Sequence, residues 1–170
     1  LNAKIIRHFG LGCAPNRWDG LLRHMRQKGY SEAELVNANL ARRSDKNGRT
    51  SCYDNFRNRM MIPIIDLRGN VIAFGGRVLD DAKPKYVNTS DTLVYKKSQA
   101  IFALNFAKSA NQGKLILAEG YMDVIAYHQA GFTNAVACLG TALTREQARL
   151  LARYADEVIL SYDADGAGQE

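Results

Sequence analysis

The sequence predicts a protein of mixed α/β and α+β class, and three observations carry that prediction. Residues 114–162 alternate short apolar runs with helical stretches of about ten residues in the order β-α-β-α-β. That is the pattern of a largely parallel, Rossmann-like sheet covered on both faces through right-handed crossovers. Residues 60–79 hold two β-rich runs around a short turn, behind a leading segment with helical spacing, which is an α+β pattern. The charge divides at the same place: residues 1–113 carry 19 Lys+Arg against 9 Asp+Glu, whereas residues 114–170 carry 4 against 8. A boundary near Gly113 follows, with a basic N-terminal α+β subdomain over residues 1–112 and a second subdomain over residues 113–170.

Each element has its own signal. Trp18–Lys28 places Trp18, Leu21, Leu22 and Met25 on one helical face with Gly29 as the stop, so Trp18 is expected in the core and not as a platform for a stacked base. Ser31-Glu32-Ala33-Glu34 is a capping box and starts a second helix. Ala41–Thr50 turns polar through Arg42, Arg43, Asp45, Lys46, Asn47 and Gly48 and is expected to be a loop or linker. Met60–Ile65 and Val71–Val78, separated by Leu67-Arg68-Gly69-Asn70, predict a hairpin in which Gly75-Gly76 marks a bulge or a close approach of backbone. Asp80–Asp91 is a polar connection holding Pro84, and Gln99–Ser109 returns to helical spacing through Ile101, Phe102, Leu104 and Phe106. The expected order beyond Gly113 is a strand at Lys114–Ala118, a helix at Tyr121–Ala130, a strand at Ala135–Leu139, a helix at Thr144–Tyr154 and a strand at Glu157–Tyr162.

Composition narrows the function classes. With 46% hydrophobic residues among 170, the chain can bury a sizeable core. No stretch approaches the ~20 apolar residues that span a bilayer, so no membrane is expected as a partner. Cys13, Cys52 and Cys138 are far apart and free of C-x-x-C or Cys/His ligand spacing, which indicates neither a disulfide framework nor a zinc site. Leu1 opens no basic-then-apolar leader, so a reducing, cytoplasmic home is expected, and the glycosylation pattern at Asn88-Thr89-Ser90 reads as coincidence. His8, His24 and His128 share no ligand spacing and are expected to be surface or packing residues. A basic region joined to an acidic one suits a protein that attracts a polyanion with one part and gathers divalent cations with the other.

In parallel α/β sheets ligands collect at the carboxyl ends of the strands. The three strands of the second subdomain end in Glu119-Gly120, in Gly140-Thr141, and in Asp163-Ala164-Asp165-Gly166-Ala167-Gly168. A helix starting after Gly120 sets Asp123 one turn beyond Glu119. Clustered carboxylates repel and raise one another's pKa unless a cation sits among them, and magnesium prefers hard oxygen ligands. Glu119, Asp163 and Asp165, with Asp123 beside them, are therefore candidate ligands of Mg2+, and Glu119 is either a ligand or a general base. Gly166 and Gly168 let phosphate or metal approach the backbone. An EF-hand is excluded because Gly166 is fourth, not sixth, in its loop, and no G-x-x-x-x-G-K-[ST] occurs.

Leu117-Ala118-Glu119-Gly120-Tyr121-Met122-Asp123-Val124, Leu139-Gly140-Thr141-Ala142-Leu143-Thr144 and Ser161-Tyr162-Asp163-Ala164-Asp165-Gly166-Ala167-Gly168 resemble the Toprim domain of bacterial DnaG-type DNA primases. Upstream, Phe56-Arg57-Asn58-Arg59-Met60-Met61-Ile62-Pro63-Ile64, Ile72-Ala73-Phe74-Gly75-Gly76-Arg77-Val78-Leu79 and Pro84-Lys85-Tyr86-Val87-Asn88-Thr89 resemble the basic N-terminal subdomain of the primase core, and Tyr95-Lys96-Lys97 its next basic motif. The resemblance covers nearly the whole chain.

The resemblance implies DNA-templated synthesis of short RNA primers for replication by metal-dependent nucleotidyl transfer, with single-stranded DNA as template, ribonucleoside triphosphates as substrates and Mg2+ or Mn2+ as cofactor. It assigns Glu119, Asp163 and Asp165 to catalysis, the same three with Asp123 to metal binding, and Arg57, Arg59, Arg77, Lys85 and Lys97 to nucleotide or DNA binding. The family also carries a zinc-binding domain and a domain that meets the replicative helicase. Neither is in this sequence, so the chain is expected to be a fragment, with its Toprim part cut short and its activity in isolation in question. The acids alone also fit another Toprim enzyme, a nuclease or topoisomerase, and a non-catalytic nucleic-acid-binding module is the alternative from outside enzymes.

Overall fold

The computed structural model describes residues 1–46, 48–110, 113–139 and 143–162. Helix α1 (Ala3–Phe9) is capped by Asn2, whose side chain accepts from the Ile5 N–H, and ends at Gly10 in the left-handed region. Strand β1 (Gly12–Ala14), helix α2 (Gly20–Gln27) and helix α3 (Glu32–Asn37) follow. The predicted capping box opens α3: Ser31 Oγ accepts from the Glu34 N–H at 3.3 Å, and Glu34 Oε2 accepts from the Ser31 N–H at 2.7 Å.

The polar stretch expected to be a loop is instead a hairpin. Strand β2 (Ala41–Lys46) pairs antiparallel with β3 (Arg49–Asp54), from Ala41 opposite Asp54 to Lys46 opposite Arg49. Polar residues on both of its faces hide the period-2 signal that marks a strand. What holds it is the packing of Ala41 with Leu22 and Leu35, and of Cys52 at their margin, together with a turn closed by Gly48 at φ +72°.

The second hairpin forms as predicted. Strand β4 (Arg59–Ile65) pairs with β5 (Val71–Val78), and the register shifts between Ile64 and Ile65, not at Gly75-Gly76. Asp66 shapes the turn, its Oδ1 accepting from the Arg68 and Asn70 N–H groups at 2.9 and 2.8 Å. Strand β6 (Tyr86–Asn88), within the expected polar connection, joins the far edge of β5, so the first sheet runs β1-β4-β5-β6, antiparallel throughout.

Residues 99–109 depart from the single helix expected. Strand β7 (Ile101–Phe102) and the four-residue helix α4 (Leu104–Ala107) share that span, divided by Ala103 in the left-handed region at φ 64°. Ile101, Phe102, Ala103 and Leu104 are all buried, so the segment is apolar on every side and its period is ambiguous.

Strand β8 (Lys114–Ala118), helix α5 (Tyr121–Gln129), strand β9 (Ala135–Cys138), helix α6 (Arg145–Leu151) and strand β10 (Glu157–Ser161) give the predicted alternation. The second sheet runs β10-β8-β9-β7, with β8, β9 and β10 parallel and β7 antiparallel to β9. Alternate residues face its two sides. Ala118, Ala135 and Ala137 pack with Val124 and Ile125 of α5, whereas Leu115, Leu117 and Val136 pack with Leu151 of α6. The α5 side also takes Ile62, Ile64 and Ala73 of the first sheet and Phe9 of α1, so one core joins both sheets.

Candidate active site

Where the two sheets meet, the end of β8 opens into a cleft of about 520 Å³. Glu119 leaves β8 at its carboxyl end, and the extended Gly120 then caps α5, with Asp123 Oδ2 accepting the Gly120 N–H at 3.1 Å. Glu119 and Asp123 line the cleft, and Arg77, Lys85 and Lys97 line it too, so five of the residues singled out from sequence meet here. The same two acids border a second hollow of about 370 Å³ beside Tyr127, Phe132 and Tyr162.

The parallel register sets Ser161 of β10 beside Ala118 of β8, and Ser161 Oγ lies 2.6 Å from the Tyr127 hydroxyl. Burial raises the Tyr162 pKa, and the Cys138 thiol and the Glu119 carboxylate add to that. Asp163 and Asp165 lie outside the described residues. Among the described residues, no group of three His, Cys, Asp or Glu is placed to hold a metal. Glu119 and Asp123 offer carboxylate oxygen, the donor that Mg2+ and Mn2+ prefer, so the chemistry of this edge fits such an ion.

Three different supports present the basic wall. Arg77 sits on β5 across from Tyr86 of β6, and its buried Nε makes no hydrogen bond among the described residues. Burial raises the Tyr86 pKa; the Arg77 cation opposes that rise and the Asp123 carboxylate adds to it. Lys85 is held from beneath by buried Arg59, whose Nη1 donates to the carbonyls of Pro84 at 3.0 Å and Lys85 at 3.4 Å. Arg59 is thus placed under the cleft and not in its lining. Lys97 belongs to a strap fixed to α6, where Gln147 Nε2 donates to the carbonyls of Lys97 at 3.2 Å and Ala100 at 3.0 Å, and Thr144 Oγ1 donates to that of Ser98 at 2.6 Å. Gln147 is 1% exposed. The Thr144-x-x-Gln147 capping box was the sequence signal that could have found it.

Arg57 lies outside the cleft lining, stacked on an aromatic face. Its guanidinium carbon is 4.3 Å from the Trp18 ring centre and 5.2 Å from that of Tyr53, and it donates to the Asp54 carbonyl. Trp18 is 66% exposed, which corrects its expected place in the core. The helix starts only at Gly20, because the Asp54 carboxylate accepts the Leu21 and Leu22 N–H groups at 2.7 and 2.9 Å and caps α2 from another strand. Trp18 therefore precedes the helix, and the periodicity that buried it does not apply. The Tyr121 hydroxyl donates to Asn88 Oδ1 at 3.0 Å and ties α5 to β6 inside the cleft, a long-range bond with no signal in the sequence.

Residues 1–108 match the family model of the DNA primase catalytic core, N-terminal domain, and residues 116–170 match a Toprim-like model. The chain is 52% identical over 170 residues to a DNA primase of Clostridium acetobutylicum, covering 99% of this chain and 28% of that protein. It is likewise 52% identical over 171 residues to a DNA primase of Deinococcus radiodurans, covering 99% of this chain and 30% of that one. Among solved structures, the DnaG primase catalytic domain bound to single-stranded DNA superposes with a TM-score of 0.89 at 40% identity, over 99% of this chain and 52% of that one. The chain therefore spans less than a third of the length of those two relatives.

Proposed function

Since the chain belongs to the DNA primase catalytic core family, we propose that it serves DNA-templated synthesis of short RNA primers for replication, by nucleotidyl transfer from ribonucleoside triphosphates. The observation that carries this reading is the cleft itself, whose lining Arg77, Lys85 and Lys97 share with Glu119 and Asp123. Cations in that lining suit triphosphate oxygens, and acids suit the ion that accompanies them. The separate matches over residues 1–108 and 116–170 support a division of the chain near Gly113.

Glu119, Asp163 and Asp165 are the proposed ligands of Mg2+ or Mn2+. The bound ion supplies neutralisation of phosphate charge and a lowered pKa for the attacking 3′-hydroxyl. Asp123, with one oxygen on the Gly120 N–H, fixes the turn that carries Glu119 and offers its other oxygen to the ion. Arg77 and Lys85 hold triphosphate oxygens, Arg77 through its two-pronged fork and Lys85 as a point charge. Arg59 acts through Lys85, by setting the carbonyls on either side of that residue's backbone. Arg57 on Trp18 takes single-stranded template, a reading supported by the DnaG catalytic domain bound to single-stranded DNA.

A cytoplasmic home and engagement of the replicative helicase through another part of the protein belong to the same proposal; among the described residues no helix is long and apolar enough to cross a membrane. A nuclease or topoisomerase would share the acids. The match of residues 1–108 to the primase core favours priming over both.

The deciding experiment follows labelled ribonucleotides on a single-stranded template with the complete protein and its Glu119→Gln variant. Short RNA from the wild type and a loss of about 100-fold or more in the variant are expected. Strand cleavage in place of synthesis, or an unchanged variant, would overturn the reading.

A further inference from the structure

Asn88 closes β6 opposite Gly75 of β5, and its side chain lines the cleft. A carboxamide has an accepting and a donating end, and rotation about its terminal torsion can present either one to a ligand. Tyr121 engages one of those two ends. Its ring is buried, packed edge-on against Phe102 at 5.0 Å between centres and laid over Gly75, so its hydroxyl reaches Asn88 Oδ1 at 3.0 Å. A phenol hydroxyl carries its proton at neutral pH, and here it donates to Oδ1. Among the described residues Asn88 Nδ2 makes no hydrogen bond, and Oδ1 is already engaged.

We infer that Tyr121 is a positioning residue for the nucleotide: by occupying Oδ1 it turns the Asn88 amide into a fixed donor whose Nδ2 holds an oxygen of the bound triphosphate or its ribose. The inference rests on the proposed function insofar as a nucleotide enters this cleft. An N–H donor takes only an acceptor, and beside Arg77 and Lys85 the acceptor assigned to it is a phosphate or ribose oxygen. Arg77 and Lys85 supply charge nearby, whereas Asn88 supplies direction without charge.

The test is a double-mutant cycle on the complete protein, reading the dissociation constants of ATP and dATP with Mg2+ present, a readout independent of primer synthesis. Tyr121→Phe keeps the ring and removes only the hydroxyl; Asn88→Ala removes the donor. Each single change is expected to weaken ATP binding by about 5-fold, and the double variant to bind no worse than the weaker single one. A loss confined to ATP identifies the 2′-hydroxyl, and equal losses for ATP and dATP place the contact on a phosphate oxygen or the 3′-hydroxyl. Unchanged binding by Tyr121→Phe, losses that multiply in the double variant, or no binding of either nucleotide by the wild type would overturn the inference. Melting curves of each variant, expected to match the wild type within a few degrees, separate the effect from unfolding. A wild type that binds ATP but makes no RNA would leave this inference standing while removing the priming reading.

Discussion

A Cβ added to Gly75 would lie 2.8 Å from Cζ of Tyr121 and 3.0 Å from its hydroxyl oxygen, so the first ring of α5 rests on the bare backbone of β5. The φ of Gly75 is not in the left-handed region, and what the position demands is therefore space, not unusual conformation. Gly75→Ala is expected to push the ring away, destabilising the fold by about 1–3 kcal/mol. Because the same ring carries the hydroxyl that meets Asn88, ATP affinity should fall with it. Urea unfolding and nucleotide titration check both effects, and an alanine variant equal to wild type would sink this account of the contact.

On the proposed template role of the Arg57–Trp18 stack, charge and stacking make separable contributions. Arg57→Gln is expected to lower the salt dependence of single-stranded DNA binding by about 0.7 in log–log slope, the share of one phosphate contact. Trp18→Ala should weaken binding by about 1–3 kcal/mol with the slope preserved, as for loss of a base-stacking surface. Titrations across a range of salt concentrations measure both, and two unchanged slopes with unchanged affinities would remove this face from the interface.

Gln147 bridges α6 to the strap that carries Lys97. Gln147→Leu preserves the bulk but leaves the carbonyls of Lys97 and Ala100 without their donor, which is expected to lower stability by about 1–3 kcal/mol. A several-fold loss of ATP affinity should accompany it, since the strap that presents Lys97 is then loose. Equilibrium unfolding with parallel ATP binding tests the coupling; lost stability with unchanged affinity would confine Gln147 to a structural role.

His128 is expected to make the fold sensitive to acid. It is buried, and its Nε2 donates to the Ala135 carbonyl at 2.9 Å, a bond that leaves the proton off Nδ1, which is itself buried with no hydrogen-bond partner among the described residues. Burial lowers its pKa, and so does the neighbouring His8, while the bond to Ala135 partly opposes that. His8 is itself lowered by burial and by Lys4. The unfolded chain thus takes up protons near the ordinary histidine pKa of about 6.5 while the folded protein resists, so stability is full above that pH and falls as pH drops below it. Unfolding free energies measured between pH 7.5 and 5 should decline less in His128→Gln than in the wild type. A variant with the wild-type pH slope would assign the acid sensitivity elsewhere.

Much of the molecule is legible from residue order, because hydrophobic period and capping are local properties. The β-α-β-α-β succession, the hairpin of β4 and β5, the capping box at Ser31 and the place of Glu119 at a strand end follow from spacing that each segment carries within itself. Where local signals are mute, only packing decides. The β2–β3 hairpin is polar on both faces and exists because Ala41 finds Leu22 and Leu35. Residues 101–104 are apolar on every side, so their period could not choose between strand and helix. Trp18 is exposed because Asp54, from a distant strand, starts α2 two residues after it.

The order of residues alone determined which chemical groups are present and which strand ends carry them. The meeting of Arg77, Lys85 and Glu119 in one cleft, and the 33-residue reach from Tyr121 to Asn88, were decided only when two sheets shared one core. Contacts between segments depend on how whole faces pack, and no periodicity within either segment encodes that.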